Sequence, residues 1–416
     1  MATLPARPAE DSIAKLAGDV RCAAGLKWID KNAAWVTDQQ IRLTEIPAPE
    51  FDETARGQAL RAMFEALGLK VRVDATGNVI AERPGSDSKS VVLVAAHLDT
   101  VFPAGTDVRV KRDGKRLIAP GIADNGAGLG ALLGLARALT EAKVDTSATI
   151  VLAGDVGEEG EGNLRGIRKL VETYGSRLSA VIALDGPSFG HITTQGIASR
   201  RFEIAIAGPG GHSWSDFGEP NPITALARAI VKFSSLKVPD VPRTSYNFGV
   251  IEGGTSINSI PHRAVVKVDL RSENEVQLVR LEKVLRDAVS AGVKDEIAAS
   301  QFPLPEEAAA NQLNQGHFLA EFKSLGERPA GKLADNSPLL AAVRNVDQFL
   351  GNRSQIESSS TDANIPLSLG IPAIAIGGGG RGGGTHTLDE WFDPSGRELG
   401  LKRLYLTVVA LAGLEP

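Results

Sequence analysis

Short apolar runs alternate with longer stretches of helical periodicity along most of the chain. The runs have the length of buried strands, and they are VRV (71–73), VVLVAA (91–96), ATIVLAG (148–154), AVIALD (180–185) and IPAIAIG (371–377). Apolar residues recur at helical spacing at 11–45, 54–69, 126–139 and 337–350. Because strands that alternate with helices form sheets covered on both faces, this pattern predicts an α/β domain with a central mixed sheet.

Residues 198–325 follow a different pattern, in which the elements come in the order β-α-β-β-α-β. The predicted strands are 202–208, 246–254, 263–272 and 319–326, and the predicted helices are 222–236 and 274–289, the second with an extension towards Ala310. This order is typical of the ferredoxin-like α+β plan. We therefore predict a catalytic α/β domain from residues 1–197 and 326–416, interrupted by a lid domain at 198–325.

Composition narrows the class of protein. The 416 residues suit two or three domains, and 45 basic against 50 acidic residues give a net charge of −5 without a basic stripe. Nucleic acid is therefore not an expected partner.

The single cysteine, Cys22, excludes a disulfide framework and a multi-cysteine zinc site. No apolar stretch has the length of a membrane span, and residues 1–16 lack the apolar run of a signal peptide, so we expect a cytoplasmic protein.

Side chains that can bind metals follow the apolar runs or precede a helix. They are His97 and Asp99 after 91–96, Asp124 before the helix at 126–139, Glu158 and Glu159 after 148–154, Asp185 at the end of 180–185, and His386 after the glycine-rich stretch that follows 371–377. Ligands of open α/β sheets bind outside the carboxyl ends of the strands, so these side chains are expected to meet at one edge. Two histidines and several carboxylates describe a metal site of nitrogen and oxygen ligands.

Each of these residues also has a simpler interpretation. Asp124 and Asn125 suit a helix N-cap. Glu158 and Glu159 suit a solvated loop, and His386 suits a flexible loop rich in glycine. The hypothesis of a metal site therefore depends on the conjunction of all of them rather than on any single residue.

Two other features of the sequence bear on alternative kinds of site. No glycine-rich loop has a phosphate-binding pattern, so a nucleotide site is not favoured. The segment GPSFG (186–190) matches the serine nucleophile elbow. That motif requires a helix after the serine, whereas the β-like HITTQG (191–196) follows here, so a serine hydrolase is not favoured either.

Six motifs occur in an order that resembles a known family. They are HLDTVFP (97–103), ADNGAG (123–128), GEEGEG (157–162), LDGP (184–187), GPGGHSW (208–214) and GGGTHTLDEW (382–391). From about residue 45 to the C-terminus, the chain resembles the dizinc metallopeptidases of the peptidase T, aminoacylase and glutamate carboxypeptidase type. SSTDANIP (359–366) and RPAG (328–331) are similar to segments of the peptidase T-like branch.

The resemblance implies two divalent metal ions, with Zn²⁺ as the first candidate and Co²⁺ or Mn²⁺ as alternatives. His97, Asp124 and Asp185 would hold one ion. Asp124, Glu159 and His386 would hold the other, so that Asp124 bridges the two ions.

The same resemblance implies the parts that other residues take in catalysis. Asp99 would orient the imidazole of His97, and Glu158 would be the general base for a metal-activated water. His212 would stabilise the tetrahedral oxyanion from the lid of a second copy; without the resemblance, it is simply a histidine in a turn. The peptide between Asp124 and Asn125 is expected to be cis.

The lid carries two further candidates. Asn258 and Arg271 correspond to family residues that contact the carboxylate or backbone of the substrate. Apolar and polar residues alternate along 265–271 and put Arg271 on the polar face, which suits a carboxylate clamp as well as a solvated arginine. The resemblance also implies a homodimer formed through the lid.

Asp185 separates the branches of the family. Carboxypeptidases and aminoacylases typically have Glu at this position, whereas di- and tripeptide aminopeptidases have Asp. We therefore expect a hydrolase that cleaves short peptides as an aminopeptidase. An N-acyl-amino-acid amidohydrolase or a carboxypeptidase on the same dizinc site remains an alternative, as does a non-catalytic binding protein on this scaffold. His191, His262 and His317 receive no role.

Overall fold

The structure is a computed structural model that describes residues 10–301 and 318–415. The chain divides into two units, Met1–Gly196 together with Gly331–Pro416, and Ile197–Ala330. The second unit is inserted into the first. It ends at Ala330 rather than at residue 325, because its last strand continues through Arg328.

The described helices and strands include those that the hydrophobic pattern predicts, together with short strands and the helices Arg165–Tyr174, Asn364–Ser368 and Arg397–Ala412, which it does not predict. The helices are α1 (Glu10–Gly18), α2 (Val20–Thr44), α3 (Thr54–Ala66), α4 (Gly126–Ala142), α5 (Arg165–Tyr174), α6 (Pro222–Ser234), α7 (Glu275–Ala299), α8 (Pro338–Phe349), α9 (Asn364–Ser368) and α10 (Arg397–Ala412). The strands are β1 (Val71–Val73), β2 (Val79–Arg83), β3 (Asp87–His97), β4 (Lys111–Asp113), β5 (Arg116–Ile118), β6 (Ala148–Asp155), β7 (Leu178–Leu184), β8 (His191–Gly196), β9 (Ala198–Ala207), β10 (Gly211–His212), β11 (Thr244–Gly253), β12 (Ser259–Ile260), β13 (Arg263–Ser272), β14 (Leu319–Arg328), β15 (Gly331–Lys332), β16 (Gln355–Ser359), β17 (Ala373–Ile376), β18 (Arg381–Gly383) and β19 (Trp391–Asp393).

A mixed sheet forms the centre of the first unit. Its strands lie in the order β1-β2-β6-β3-β7-β17-β8-β15, with β16 paired to β8. The neighbours β6, β3, β7 and β17 are parallel, whereas β2 and β8 run antiparallel to them. Residues Val91 to Ala96 of β3 are fully buried, as expected for a strand covered on both faces. The prediction of an α/β fold with a central mixed sheet is confirmed.

Helix α4 is buried on nearly all of its faces. Its leucines join the residues of β3, β6 and β7 in one hydrophobic core. Small residues let it pack closely against α2 and α10: a Cβ added at Gly134 would lie 3.0 Å from Cγ2 of Val36 in α2 and 3.2 Å from Cδ2 of Leu401 in α10. The apolar pattern of 126–139 thus belongs to a helix packed within the domain rather than to a surface helix.

The parallel strands end together at one edge of the sheet. His97, the last residue of β3, is in register with Asp155, the last residue of β6. Leu184 at the end of β7 is in register with Ile376 at the end of β17. The loops that follow these four residues therefore start side by side, which is the arrangement that places ligands at the carboxyl edge of an open α/β sheet.

A small antiparallel sheet brings two loops of the first unit together. Its strand order is β18-β19-β5-β4, and Trp391 of β19 is in register with Ile118 of β5. Phe392 and Leu117 are buried in the cluster beneath it. The segment 386–390, which leads into β19, therefore lies beside the segment 119–125, which follows β5.

The inserted unit has the ferredoxin-like order of elements. Its antiparallel sheet has the strand order β11-β13-β9-β14, and α6 and α7 contribute to its single core. Val266, Val268 and Leu270 of β13 are buried in that core, so the alternation in the sequence corresponds to the two faces of the strand. A short pair, β10 with β12, lies outside this sheet and holds His212 opposite Ser259.

Two further expectations from the sequence can be compared with the helices and strands. The segment after Ser188 is strand β8, so GPSFG lacks the helix that a nucleophile elbow requires. Helix α7 ends at Ala299, and residues 302–310 of the expected extension lie outside the described residues, as does His317. Within residues 10–301 and 318–415, no helix is both long and apolar enough to cross a membrane.

Candidate active site and metal centre

His97 ends β3 with a buried imidazole, 2% exposed. Its Nε2 lies 3.1 Å from Oδ1 of Asp124. Its Nδ1 lies 3.1 Å from the backbone oxygen of Asp99 and 3.8 Å from Oδ1 of the same residue. One ring nitrogen thus faces Asp99 while the other points at Asp124, which is the arrangement that metal-binding histidines usually have with a supporting oxygen.

Asp124 and Asn125 are adjacent but have different roles. The peptide that joins them is cis. The side chain of Asn125 accepts a hydrogen bond from N–H of Gly128 at 3.1 Å and donates one to the backbone oxygen of Leu184 at 2.7 Å. Asn125 is therefore the N-cap of α4, so the simpler interpretation holds for this residue. The carboxylate of Asp124 is left to face the histidines.

His386 completes the described cluster from the opposite side. Its Nε2 lies 2.9 Å from Oε1 of Glu159 and 3.4 Å from Oδ2 of Asp124. Its backbone has a φ of +65°, which few residues other than glycine adopt, and its side chain is half exposed. His97, Asp124 and Glu159 each offer a ligand atom, and these atoms all lie within 4.8 Å of one another.

Asp99 is fully buried beneath the loop that carries Glu158 and Glu159. Its Oδ1 accepts a hydrogen bond from N–H of Glu158 at 3.0 Å, and its Oδ2 accepts one from N–H of Glu159 at 2.8 Å. The carboxylate therefore holds this loop, in addition to facing His97 at the longer distance. Glu158 is itself buried.

The charges of the cluster are unbalanced. Burial raises the pKa of Glu159 to about 7 and holds the pKa of Asp185 well above its usual range, with the charge of Asp124 adding to the second effect. Burial also acts to raise the pKa of Asp124, but hydrogen bonds with His386 and His97 lower it below its usual range. The same bonds to Asp124 and Glu159 raise the pKa of His386 to about 10. Buried carboxylates in such numbers require compensating positive charge.

The donor set fits divalent cations. Neutral imidazole and carboxylate oxygen are the ligands that zinc and its neighbours accept in sites without sulfur. His97, Asp124 and Glu159 form the candidate metal-binding group, and His386 lies within hydrogen-bond distance of Glu159. Asp185 follows β7, and its backbone N–H donates a hydrogen bond to the backbone oxygen of Ile376 at 3.0 Å.

The lid candidates lie at two places in the inserted unit. His212 and Asn258 are neighbours, because N–H of Ser213 donates to the backbone oxygen of Asn258 at 3.0 Å. Both are exposed. Arg271 lies near the other end of β13, where its Nε is 2.7 Å from Oδ2 of Asp269 and its side chain is 41% exposed. The structure therefore brings together the first two residues and separates Arg271 from them.

Three buried carboxylates near the cluster were not singled out from the sequence. Glu390 accepts hydrogen bonds from the loop that precedes Asp124. Asp155 and Asp362 are buried together, and burial raises the pKa of Asp155 to about 7 and that of Asp362 well above its usual range. A signal existed for each: Asp155 ends an apolar run as His97 does, and the other two lie in motifs of the family resemblance.

Comparisons of the sequence and the fold with known proteins identify a family of peptidases. Residues 93–410 match the model of peptidase family M20/M25/M40. The putative succinyl-diaminopimelate desuccinylase DapE of Mycobacterium tuberculosis is 26% identical over 346 residues, which cover 81% of this chain and 88% of that protein. The structure of aminopeptidase PepT from Bacillus cereus is similar with a TM-score of 0.68 at 20% identity, over 92% of this chain and 99% of that chain. Dug1p, a di-peptidase of Saccharomyces cerevisiae, has a TM-score of 0.74 at 14% identity, over 94% and 98% of the two chains.

The fold and the cluster together define a hydrolase with an α/β domain and an inserted ferredoxin-like domain. The chain belongs to peptidase family M20/M25/M40, because the family model covers most of its length. The predictions of this family and of an enzyme that hydrolyses amide bonds are confirmed.

Proposed function

We propose that this protein is a dinuclear metallopeptidase that releases the N-terminal residue of short peptides. The observation that carries the proposal is the cluster of His97, Asp124, Glu159 and His386 at the carboxyl edge of the sheet. Glu158 stands next to Glu159 in this cluster. It therefore provides a base that is close to the metal ligands without belonging to them.

Two metal ions account for the number of donors. His97, Asp124 and Asp185 would hold one ion, and Asp124, Glu159 and His386 would hold the other, with Zn²⁺ as the first candidate and Co²⁺ or Mn²⁺ as alternatives. Divalent cations bound here would supply Lewis acidity, which polarises a substrate carbonyl and acidifies water at neutral pH.

Glu158 would move the protons of the reaction. Its carboxylate accepts a proton from the attacking water and delivers it to the leaving nitrogen. Asp99 supports this role because it holds the backbone N–H of Glu158 at 3.0 Å, and the burial of Glu158 keeps bulk water away from the carboxylate.

Two classes of substrate, short peptides and N-acylated amino acids, suit such a site. An aminopeptidase is supported by Asp185, as the sequence suggests, and by the fold shared with aminopeptidase PepT. The relative named a desuccinylase supports the alternative, an N-acyl-amino-acid amidohydrolase. Free tripeptides, N-acetyl amino acids and N-acylated peptides with a free carboxylate, offered at equal concentration, separate aminopeptidase, amidohydrolase and carboxypeptidase. Cleavage of acylated substrates alone would contradict the aminopeptidase proposal.

The role of Glu158 is tested by the variant Glu158→Gln. It should retain two equivalents of zinc and lose at least about 100-fold in kcat, because general acid–base catalysis contributes roughly 10²–10⁴-fold. Glu161→Gln in the same loop, where the side chain is exposed, is the matched control and should keep its activity. Glu158→Gln with the turnover of the unmodified enzyme would exclude this base.

A homodimer formed through the lid is part of the proposal. His212 and Asn258 lie beyond the Arg263 end of β13, whereas Arg271 lies about 26 Å further along at roughly 3.3 Å per residue. One lid therefore cannot present both ends to one substrate of a few residues. A second copy could supply His212, and the unpartnered edge of β11 among the described strands, with Val250 and Ile251 exposed, offers a surface for it.

We place the protein in the cytoplasm on the basis of its cysteine usage. The single cysteine, Cys22, is buried and free, and proteins without disulfides are typical of reducing compartments. Fractionation of cells that express the tagged chain tests this placement.

A further inference from the structure

Glu390 is a fully buried carboxylate directly before β19. Its Oε1 accepts hydrogen bonds from the backbone N–H groups of Ala123 at 2.7 Å and Asp124 at 2.8 Å, and its Oε2 accepts one from Gly121 at 3.2 Å. Its backbone oxygen accepts a fourth from N–H of Ala119 at 3.0 Å. One residue thus binds four donors of the loop that ends at Asp124.

Glu390 binds most of the backbone N–H groups of this loop, whereas that of Ile122 donates within the loop to the backbone oxygen of Ala119. Residues 119–125 form neither strand nor regular helix, and buried N–H groups in such a segment need partners from elsewhere in the molecule. A carboxylate accepts hydrogen bonds at both of its oxygens, so that one side chain can bind several N–H groups at once. The position of the Asp124 backbone is therefore set by a side chain 266 residues further along the chain.

Glu390 also connects this loop to the segment of His386. The two residues are separated by only three others, and β19 anchors the segment on β5. Across the cluster, Nε2 of His386 lies 3.4 Å from Oδ2 of Asp124. The hydrogen bonds of Glu390 thus join the two loops whose side chains face each other at this point.

Asp99 provides a comparison within the same site. It accepts the backbone N–H groups of Glu158 and Glu159 as Glu390 accepts those of Ala123 and Asp124. One buried carboxylate therefore binds the backbone of each of the two loops. Neither carboxylate has an oxygen within hydrogen-bond distance of a histidine of the cluster.

We propose that Glu390 is a positioning residue of the metal centre, which fixes the carboxylate of Asp124 relative to His386 by binding the backbone N–H groups of Gly121, Ala123 and Asp124. This proposal rests on the proposed function, since it concerns the residues that would hold the metal. It predicts that a change at Glu390 weakens metal binding without removing any ligand.

The variant Glu390→Gln separates positioning from packing. Glutamine has the size of glutamate, and its amide oxygen can still accept from Ala123 and Asp124. Its NH₂ group would face the N–H of Gly121, so one acceptor is lost and two donors oppose each other. Asp389→Asn is the matched control, because Asp389 is the exposed neighbour of Glu390 in the same segment.

The experiment is a calorimetric titration of the metal-free full-length protein with Zn²⁺, accompanied by steady-state kinetics on a cleaved peptide. We expect Glu390→Gln to bind zinc about 10- to 100-fold more weakly, as is usual when a residue that supports a metal ligand is changed. We also expect kcat to fall at limiting zinc and to recover with excess zinc, while KM stays the same. Asp389→Asn should behave as the unmodified protein.

The outcomes distinguish this proposal from the one on which it rests. A folded Glu390→Gln with unchanged zinc affinity would overturn the positioning role. If that variant does not fold, Glu390→Asp, which keeps the carboxyl group on a shorter side chain, decides the question by the same titration. Failure of both variants to fold would show that Glu390 serves the fold itself and would also overturn the proposal. An unmodified protein that binds no zinc, cobalt or manganese would instead contradict the proposed function.

Discussion

At the residue scale, the buried carboxylates of the site differ in what they contact. Asp124 and Glu159 each direct an oxygen at a histidine ring nitrogen, whereas Asp99 and Glu390 accept hydrogen bonds from backbone N–H groups. The motifs in the sequence contain all four as acidic residues. The resemblance sets Asp99 apart from the metal ligands, but it does not show which backbone N–H groups Asp99 and Glu390 bind, because these groups belong to other loops that only the folded chain brings near.

A second set of buried charges supports the sheet away from the site. Arg403 forms a two-point ion pair with Asp347, at 2.7 Å and 3.0 Å, and both side chains are buried. Arg403 also donates to the backbone oxygen of His191 at 3.1 Å. His191, which the sequence left without a role, thus begins β8 at a point where its backbone is held by α10.

We predict that Asp347→Ala lowers the free energy of unfolding by about 3–5 kcal/mol, because it leaves the charge of Arg403 buried without its carboxylate counter-ion. Chemical denaturation of the metal-free protein measures this loss. The double variant Asp347→Leu with Arg403→Met should regain most of it, since replacing both partners by apolar side chains is often neutral. Equal losses in the single and the double variant would contradict this explanation.

At the scale of elements, the hydrophobic pattern predicts most of the long strands and helices, but it misses helices α5 and α10 and most of the short strands. Strands β3, β6 and β7 are predicted because they are buried on both faces and therefore continuously apolar. The pattern does not predict β4 and β18, because each has three residues and is largely exposed. These segments are strands because they pair with neighbouring strands, and they have no apolar periodicity. The small sheet that places Glu390 beside the Asp124 loop consists of such strands.

The first turn of α4 packs against the end of β7 without room for a methyl group. A Cβ added at Gly128 would overlap the amide oxygen of Asn125 and lie 2.8 Å from the backbone oxygen of Leu184. We predict that Gly128→Ala lowers the free energy of unfolding by about 1–3 kcal/mol, as overpacking does, and weakens zinc binding, because Asp124 and Asp185 adjoin the displaced residues.

Gly134→Ala in the same helix is the control for Gly128→Ala. Its added Cβ meets only side-chain methyl groups, the closest at 3.0 Å, and the helix propensity gained is up to about 1 kcal/mol. Its stability should therefore change little and its zinc affinity not at all. Thermal denaturation and zinc titration of both variants measure the difference, and equal effects at the two positions would contradict the role given to the first turn.

At the scale of the whole molecule, the chain consists of an α/β unit split by an inserted unit. The order of elements predicts the insertion, because the β-α-β-β-α-β pattern stands out between two stretches of α/β pattern. The role of His212 in catalysis comes from the family resemblance alone and not from the hydrophobic pattern. The proposed role requires a second copy of the chain, and the residues of a surface that binds such a copy carry no periodic signal of their own.

Mixing two inactive variants tests the role of His212 in a dimer. His212→Ala lacks the proposed oxyanion donor and Glu158→Gln lacks the proposed base, so each alone should lose at least about 100-fold in kcat. If His212 acts in the site of the partner, a dimer with one chain of each kind contains one site with both residues intact. After subunit exchange, an equal mixture should therefore recover roughly a quarter of the activity, because half of the dimers are mixed and each has one working site. A mixture as inactive as its components, in a sample that light scattering shows to be a mixed dimer, would mean that His212 does not act across the interface.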